Sequence, residues 1–271
     1  MFLLKTPLPF LIVLSAILLM GCTGSPVADE QPTGPITDSL NNLSKNKFNP
    51  SRTIYLTFDD GPMVGTETVI TILEAQQVPA TFFMVGKHAQ FMPNAKSCLG
   101  RIKSNTAFEI ANHSYSHGYN NHYDRYYNMP QAVVEDFEKA KPYLDPVLPL
   151  YRTPGNNFWR THTITSNGGP KRYVPAINVL AGSNNQVLGW DVEWFHYKFR
   201  LKQTPDTLLS QINRAFLNNT NKTTGHCVLL MHDACFKDPN DSLQLLRFIA
   251  QAKDSGYLFA KASAHPSLVQ P

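Results

Sequence analysis

The chain has 271 residues, of which 42% are hydrophobic and 16% charged, with 20 prolines and 15 glycines. That composition supports a buried core and excludes disorder as the main state. A formal net charge of +4, with no basic run or stripe, leaves no electrostatic footprint for nucleic acid.

Residues 1–21 carry one early cation, Lys5, then a nearly continuous apolar stretch from Leu8 to Met20. This order reads as an export signal, and its apolar core is too short for a bilayer span. Leu19-Met20-Gly21-Cys22 resembles a bacterial lipobox, which implies cleavage before Cys22, a lipid on its sulfur and a membrane tether. Thr23 follows the lipid site where an aspartate would signal inner-membrane retention, so the same resemblance implies an outer membrane location facing the periplasm. A Gram-positive cell surface is the alternative. From 22 to 50 the chain is rich in Ser, Thr, Asn, Pro and Gly, too poor in large apolar groups to repay ordering, and is expected to be a flexible linker. With Cys22 lipidated in an oxidising compartment, Cys98, Cys227 and Cys235 allow at most one internal disulfide. Cys227 and Cys235 fall at opposite ends of one predicted strand, too far apart to bridge, and no pair is assigned.

From 51 to 271 a single domain is expected. Apolar runs predict strands over 53–58, 81–85, 108–112, 149–152, 186–190, 227–231 and 257–260. Helical patterns fall over 66–77, 88–103, 130–143, 204–216 (capped by Thr204) and 241–253. Because each parallel crossover needs a helix to return the chain, the alternation predicts an α/β fold, one distorted (β/α) barrel of about seven parallel strands.

Polar residues gather where those strands end: Asp59 and Asp60, His113 and His117, Arg152, Asp191, and His232 with Asp233. In a parallel barrel these ends meet at one rim. His113 and His117, four apart, would point the same way on a helical turn and share a metal, with Asp60 as a third ligand. A His, His, Asp set with open positions is the pattern of a catalytic divalent site. Adjacent side chains in an extended segment diverge, so of Asp59 and Asp60 one is free to bind the metal while the other takes a proton from water. The alternative is that Asp59-Asp60-Gly61-Pro62 is only a turn.

Thr57-Phe58-Asp59-Asp60-Gly61-Pro62, His113-Ser-Tyr-Ser-His117, Arg152-Thr153-Pro154 and Leu229-Leu230-Met231-His232 resemble, in order and spacing, the motifs of the polysaccharide deacetylases, carbohydrate esterase family 4. The resemblance spans nearly all of the predicted domain. It implies a distorted barrel that removes N-acetyl groups from a sugar polymer with one divalent ion. On it, Asp60, His113 and His117 hold the ion, Asp59 is the general base and His232 the general acid. Arg152 then pairs with Asp59, and the N–H of Gly155 faces the oxyanion. Two His and one Asp suit zinc and accept cobalt or nickel.

Two departures stand out. The aromatic residue that usually follows the proline is absent from Pro154-Gly155-Asn156, so that pocket wall is expected from Phe158 or Trp159. In place of an Asp-x-x-Asp-Trp motif the chain has 189–194, where Asp191 is expected to orient His232 with Glu193 as rival. Trp190 and Trp194 are either a stacking floor for a sugar ring or core. The Tyr- and Asn-rich run 119–128 either lines a glycan groove or is a solvated loop.

The expected function is metal-dependent N-deacetylation of a GlcNAc-containing polymer (peptidoglycan, poly-β-1,6-GlcNAc or chitin oligosaccharide) in the bacterial envelope. The alternatives are an acetylxylan-type O-deacetylase and a non-catalytic glycan-binding lipoprotein.

Overall fold

A computed structural model describes residues 52–145, 149–182 and 185–269. The expected export signal over 1–21, the expected lipid site Cys22 and the expected linker to residue 50 lie outside the described residues. No described helix is long and apolar enough to cross a membrane.

In chain order the strands are β1 (Thr53–Asp59), β2 (Ala80–Met84), β3 (Phe108–Asn112), β4 (Leu150–Tyr151), β5 (Asn157–Arg160) and β6 (Thr165–Gly168). They continue as β7 (Gln186–Val187), β8 (Val192–Glu193), β9 (His196–Tyr197), β10 (Arg200–Leu201), β11 (His226–His232) and β12 (Leu258–Ala260). All seven predicted strands are present. β4, β3, β2, β1 and β11 form one parallel run. β12 pairs with the first half of β1 and β2 with its second half.

The ring is completed irregularly. Leu188 N–H bonds Tyr151 O beside the β4–β7 pairing, then Asp191 and Trp194 N–H bond Val228 and Leu230 O on β11, each at 2.9 Å. A single stretch from 186 to 194 therefore bridges the two sides of the sheet and accounts for the distortion. The β5–β6 hairpin, antiparallel, joins at Val187. Five of these strands (β5, β6, β8, β9 and β10) were not predicted; each is two to four residues long, too short to show a period of its own.

β1 is buried on both faces, as parallel strands require. Ile54, Leu56 and Phe58, in register with Cys227, Leu229 and Met231, pack against the helices through Val69, Leu73, Leu245 and Phe248. Tyr55 and Val228, with Phe83, Ala111 and Leu188, fill the other face. Each such apolar side chain contributes about 1.5–3 kcal/mol. Asp59 and His232 close the same alternation, facing each other in register where β1 and β11 end.

The helices Thr66–Gln76, Pro130–Leu144, Pro205–Leu217 and Pro239–Asp254 match the predicted patterns, with Thr204 as N-cap accepting from Thr207 N–H. The pattern over 88–103 divides into Gly86–Phe91 and Ala95–Ser104. Met92 is extended (ψ 134°) because it precedes Pro93, which disfavours helix. Val174–Ala181 and Tyr123–Tyr127 form helices where none was predicted. Cys98, Cys227 and Cys235 are free and buried.

Candidate active site

The turn after β1 sets the first ligand. Asp60 is left-handed (φ 75°), a conformation Asp tolerates better than most residues. Its carbonyl accepts from His88 Nδ1 at 2.6 Å. Gly61 and Gly65 are small because the chain just after β11 passes beneath this turn: a Cβ at Gly61 would lie 2.5 Å from Asp233 Oδ2, and one at Gly65 1.9 Å from Asp233 O. Burial pushes the Asp233 carboxyl up to about 8, and its Oδ2 accepts from the Thr66 hydroxyl.

His113 and His117 do converge, though not on a helical turn. His113 follows β3, the chain reverses at Ser114 (φ 66°), and 117–121 has positive φ throughout. Left-handed backbone costs of order 1–3 kcal/mol per non-glycine residue, so the surroundings must impose it. Asn112 Oδ1 accepts from Ser114 N–H, Ser114 Oγ from His117 N–H, and the buried Asp136 from both Ser116 N–H and its hydroxyl. The imidazole centroids end 5.1 Å apart.

These residues fit a divalent ion. His113 Nδ1 donates to Arg152 O at 2.9 Å, and since a carbonyl only accepts, the proton sits on Nδ1 and Nε2 is free. His117 Nδ1 donates to Asn121 Oδ1 at 2.6 Å, with the same consequence. The two Nε2 atoms lie 3.5 and 3.0 Å from Asp60 Oδ1, a buried oxygen with no hydrogen-bond partner. One ligand atom from each of the three residues falls within 4.8 Å of the others. Burial alone would raise the Asp60 pKa, but the His113 and His117 imidazoles hold it well below the usual carboxylate range.

Beside this set, Asp59 is 3% exposed and accepts from Arg152 Nη1 at 2.8 Å. Arg152 is fully buried, bonded also to Thr57 Oγ1 and the carbonyls of Leu188 and Gly189, and its guanidinium lies 4.0 Å from the Phe83 ring centroid. With its donors so fixed, Arg152 holds Asp59 in one orientation.

His232 opens onto the same pocket, about 280 Å³, with Trp190, Gly155, Glu193 and His196. Its Nδ1 is buried without a hydrogen-bond partner, and its ring meets His196 edge to face at 4.6 Å. Asp191 does not orient it: its oxygens accept from Lys222 and Val228 N–H at 2.7 and 2.8 Å. Val228 precedes His232 by four strand residues, about 13 Å, so Asp191 anchors the start of β11 and burial raises its pKa to about 6. Of the two rival carboxylates, Glu193 is the one at the pocket. Burial raises its pKa, opposed by the His232 charge.

Two further expectations are corrected. Trp194 is not a stacking floor but core, packed on Phe236 and Phe248 with Nε1 bonded to Gln203 O. Phe158 and Trp159 are fully buried away from the pocket, whose wall beside Gly155 is Tyr123 instead. Sequence reading missed His88 and His196, and it placed Asn121 and Tyr123, both at the pocket, only within the run 119–128 expected to line a groove or form a solvated loop. Only Asn121, four residues after His117, carried a spacing signal. A larger cavity, about 670 Å³, opens beside Pro149 and Gln186 at the starts of β4 and β7. Its titratable lining is Arg160 and His162 alone, so the smaller pocket is the candidate site.

A family model described as polysaccharide deacetylase matches residues 46–164. A chitin disaccharide deacetylase of Vibrio alginolyticus is 24% identical over 76% of this chain and 70% of its own. A peptidoglycan-N-acetylglucosamine deacetylase of Bacillus cereus is 24% identical over 86% of this chain and 77% of its own. The solved family 4 carbohydrate esterase from Streptomyces lividans, in complex with acetate, superposes with a TM-score of 0.57 at 21% identity, covering 81% of this chain and 98% of that one. At that identity the likeness speaks for the fold.

Proposed function

We propose that this chain is a polysaccharide deacetylase, the family whose model matches residues 46–164, and that it hydrolyses N-acetyl groups on a GlcNAc-containing polymer, using one divalent ion held by Asp60, His113 and His117. The observation that carries the reading is the convergence of those three side chains directly beside Asp59 and His232, partners in register at the ends of β1 and β11. Two His and one Asp favour zinc.

When bound, the ion supplies Lewis-acid polarisation of the acetamide carbonyl and acidifies water. The chain's own groups do the rest. Asp59, held in one orientation by Arg152, takes the proton of the attacking water. His232 delivers a proton to the departing amine, which makes the free amine a viable leaving group. Gly155, whose left-handed backbone (φ 67°) lies at the pocket wall, offers its N–H to the developing oxyanion. Trp190, held at its N–H and carbonyl by Asn157, presents a ring for the sugar or the acetyl methyl.

Acetate release from peptidoglycan, poly-β-1,6-GlcNAc, chitin oligosaccharides and acetylxylan tests the reading, before and after chelation and with zinc, cobalt or nickel restored. Release from an N-acetylated polymer, abolished by chelation and recovered with zinc, is expected. Release from acetylxylan alone would replace the amide with an ester. Release from none would return the protein to the binding modules.

The reading also sets the enzyme in the bacterial envelope, supported by Leu19-Met20-Gly21-Cys22. Stable attachment there rests on the lipid. Cys22→Ser should accordingly shift the protein from the membrane to the soluble fraction, and unchanged partitioning would count against the anchor.

A further inference from the structure

Gly155 is solvent-exposed and left-handed, yet it has no room for a side chain: a Cβ there would lie 2.5 Å from Tyr123 Cζ and 2.9 Å from its hydroxyl. The Tyr123 ring thus fills the place of the side chain that Gly155 lacks. It is presented rigidly. Tyr126 and Tyr127 of the same short helix are fully buried, and the Tyr127 hydroxyl donates to Pro154 O at 2.7 Å, the carbonyl just before Gly155. The Tyr123 hydroxyl donates to Asn121 Oδ1 at 3.0 Å, and the ring meets His117 edge on at 6.1 Å.

Tyr123 lines the pocket of Asp59, His232 and the three candidate ligands. With Asn121 it also lines an open cleft of about 420 Å³ beside His122, Asp124, Arg125 and Tyr173. Tyr123 and Asn121 are common to the two spaces. We propose that Tyr123 is a specificity-determining residue that limits the length of the acyl group accepted at this pocket, closing it against acyl chains longer than acetyl. The inference rests on the deacylase reading above and adds to it the acyl specificity and the residue that sets it.

The ring, not the hydroxyl, does the excluding. Tyr123→Phe should therefore keep the preference for acetyl, whereas Tyr123→Ala and the milder Tyr123→Leu open a path into the cleft. Two measurements on zinc-loaded protein read this out. The first is kcat/KM on chitin oligosaccharides carrying N-acetyl or N-butyryl groups, and the second, independent of turnover, is calorimetric binding of acetate against butyrate. Hydrophobic contacts with a single methylene discriminate by about 10–200-fold, so the acetyl preference should fall at least about tenfold in Tyr123→Ala, less in Tyr123→Leu, and hold in Tyr123→Phe. Equal weakening of acetate and butyrate in Tyr123→Ala, or a wild type that binds both alike, overturns the proposal. A wild type that binds acetate over butyrate, loses that preference in Tyr123→Ala and yet releases no acetate from any polymer upholds the acyl pocket while refuting the deacetylase reading.

Discussion

Asp59→Asn and His232→Ala are each expected to keep the bound ion while losing about 10²–10⁴-fold in turnover, the worth of one positioned proton transfer. Neither residue belongs to the Asp60, His113 and His117 set, so zinc affinity measured by calorimetry should hold. Both act as bonds to the proton form and break, so the loss should fall on kcat with KM little changed. The two variants should differ in stability. Asp59→Asn leaves the fully buried Arg152 without its carboxylate, and breaking a buried pair on one side costs about 3–5 kcal/mol. The remaining bonds of Arg152 to Thr57, Leu188 and Gly189 soften that loss. His232 is partly exposed to the pocket, and its removal should cost far less. Wild-type acetate release from either variant would take that residue out of the proton-transfer scheme.

What sequence made legible follows from which signals are local. β1 and β11 are long, apolar and period-two on both faces, so their ends, and with them Asp59, Asp60 and His232, were readable. The stretch from 186 to 194 was not. It changes partner strand midway, bonding β4 with its first residues and β11 with its last, and no periodicity in one chain records which neighbour a residue faces. Asp191 and Glu193 therefore exchange their expected places, and Trp190 separates from Trp194, one at the pocket and one in the core. The place of Tyr123, within the run 119–128 expected at a groove or in a loop, was undetermined for another reason. Its position depends on the left-handed run 117–121, which propensity cannot foresee because contacts such as those with Asn112, Ser114 and Asp136 stabilise it. The glycine after Pro154 looked like a loss in sequence, and it is space for a ring that arrives from elsewhere.

Metal affinity should collapse in Asp60→Ala, His113→Ala and His117→Ala, and activity with it. Each removes one of three donors, and no other described group of three His, Cys, Asp or Glu is close enough to substitute. Changing a supporting group should do less: Asn121→Ala, which frees His117 Nδ1, is expected to weaken affinity about 10–100-fold, as second-sphere changes do. Protons compete for the same nitrogens. Burial alone would lower the His117 pKa, but the Asp60 carboxylate beside its Nε2 raises it above the ordinary imidazole value. The free protein therefore holds that proton to higher pH, and the ion must displace it. Apparent zinc affinity should thus rise with pH, with the fall on acidification beginning above the pH at which a free imidazole protonates. In Asp60→Asn, where the charge that raises the His117 pKa is gone, the onset should move to lower pH even as overall affinity drops. Calorimetric titrations with zinc from pH 5.5 to 8.5 separate these effects, and full occupancy in the three alanine variants would refute the ligand assignment.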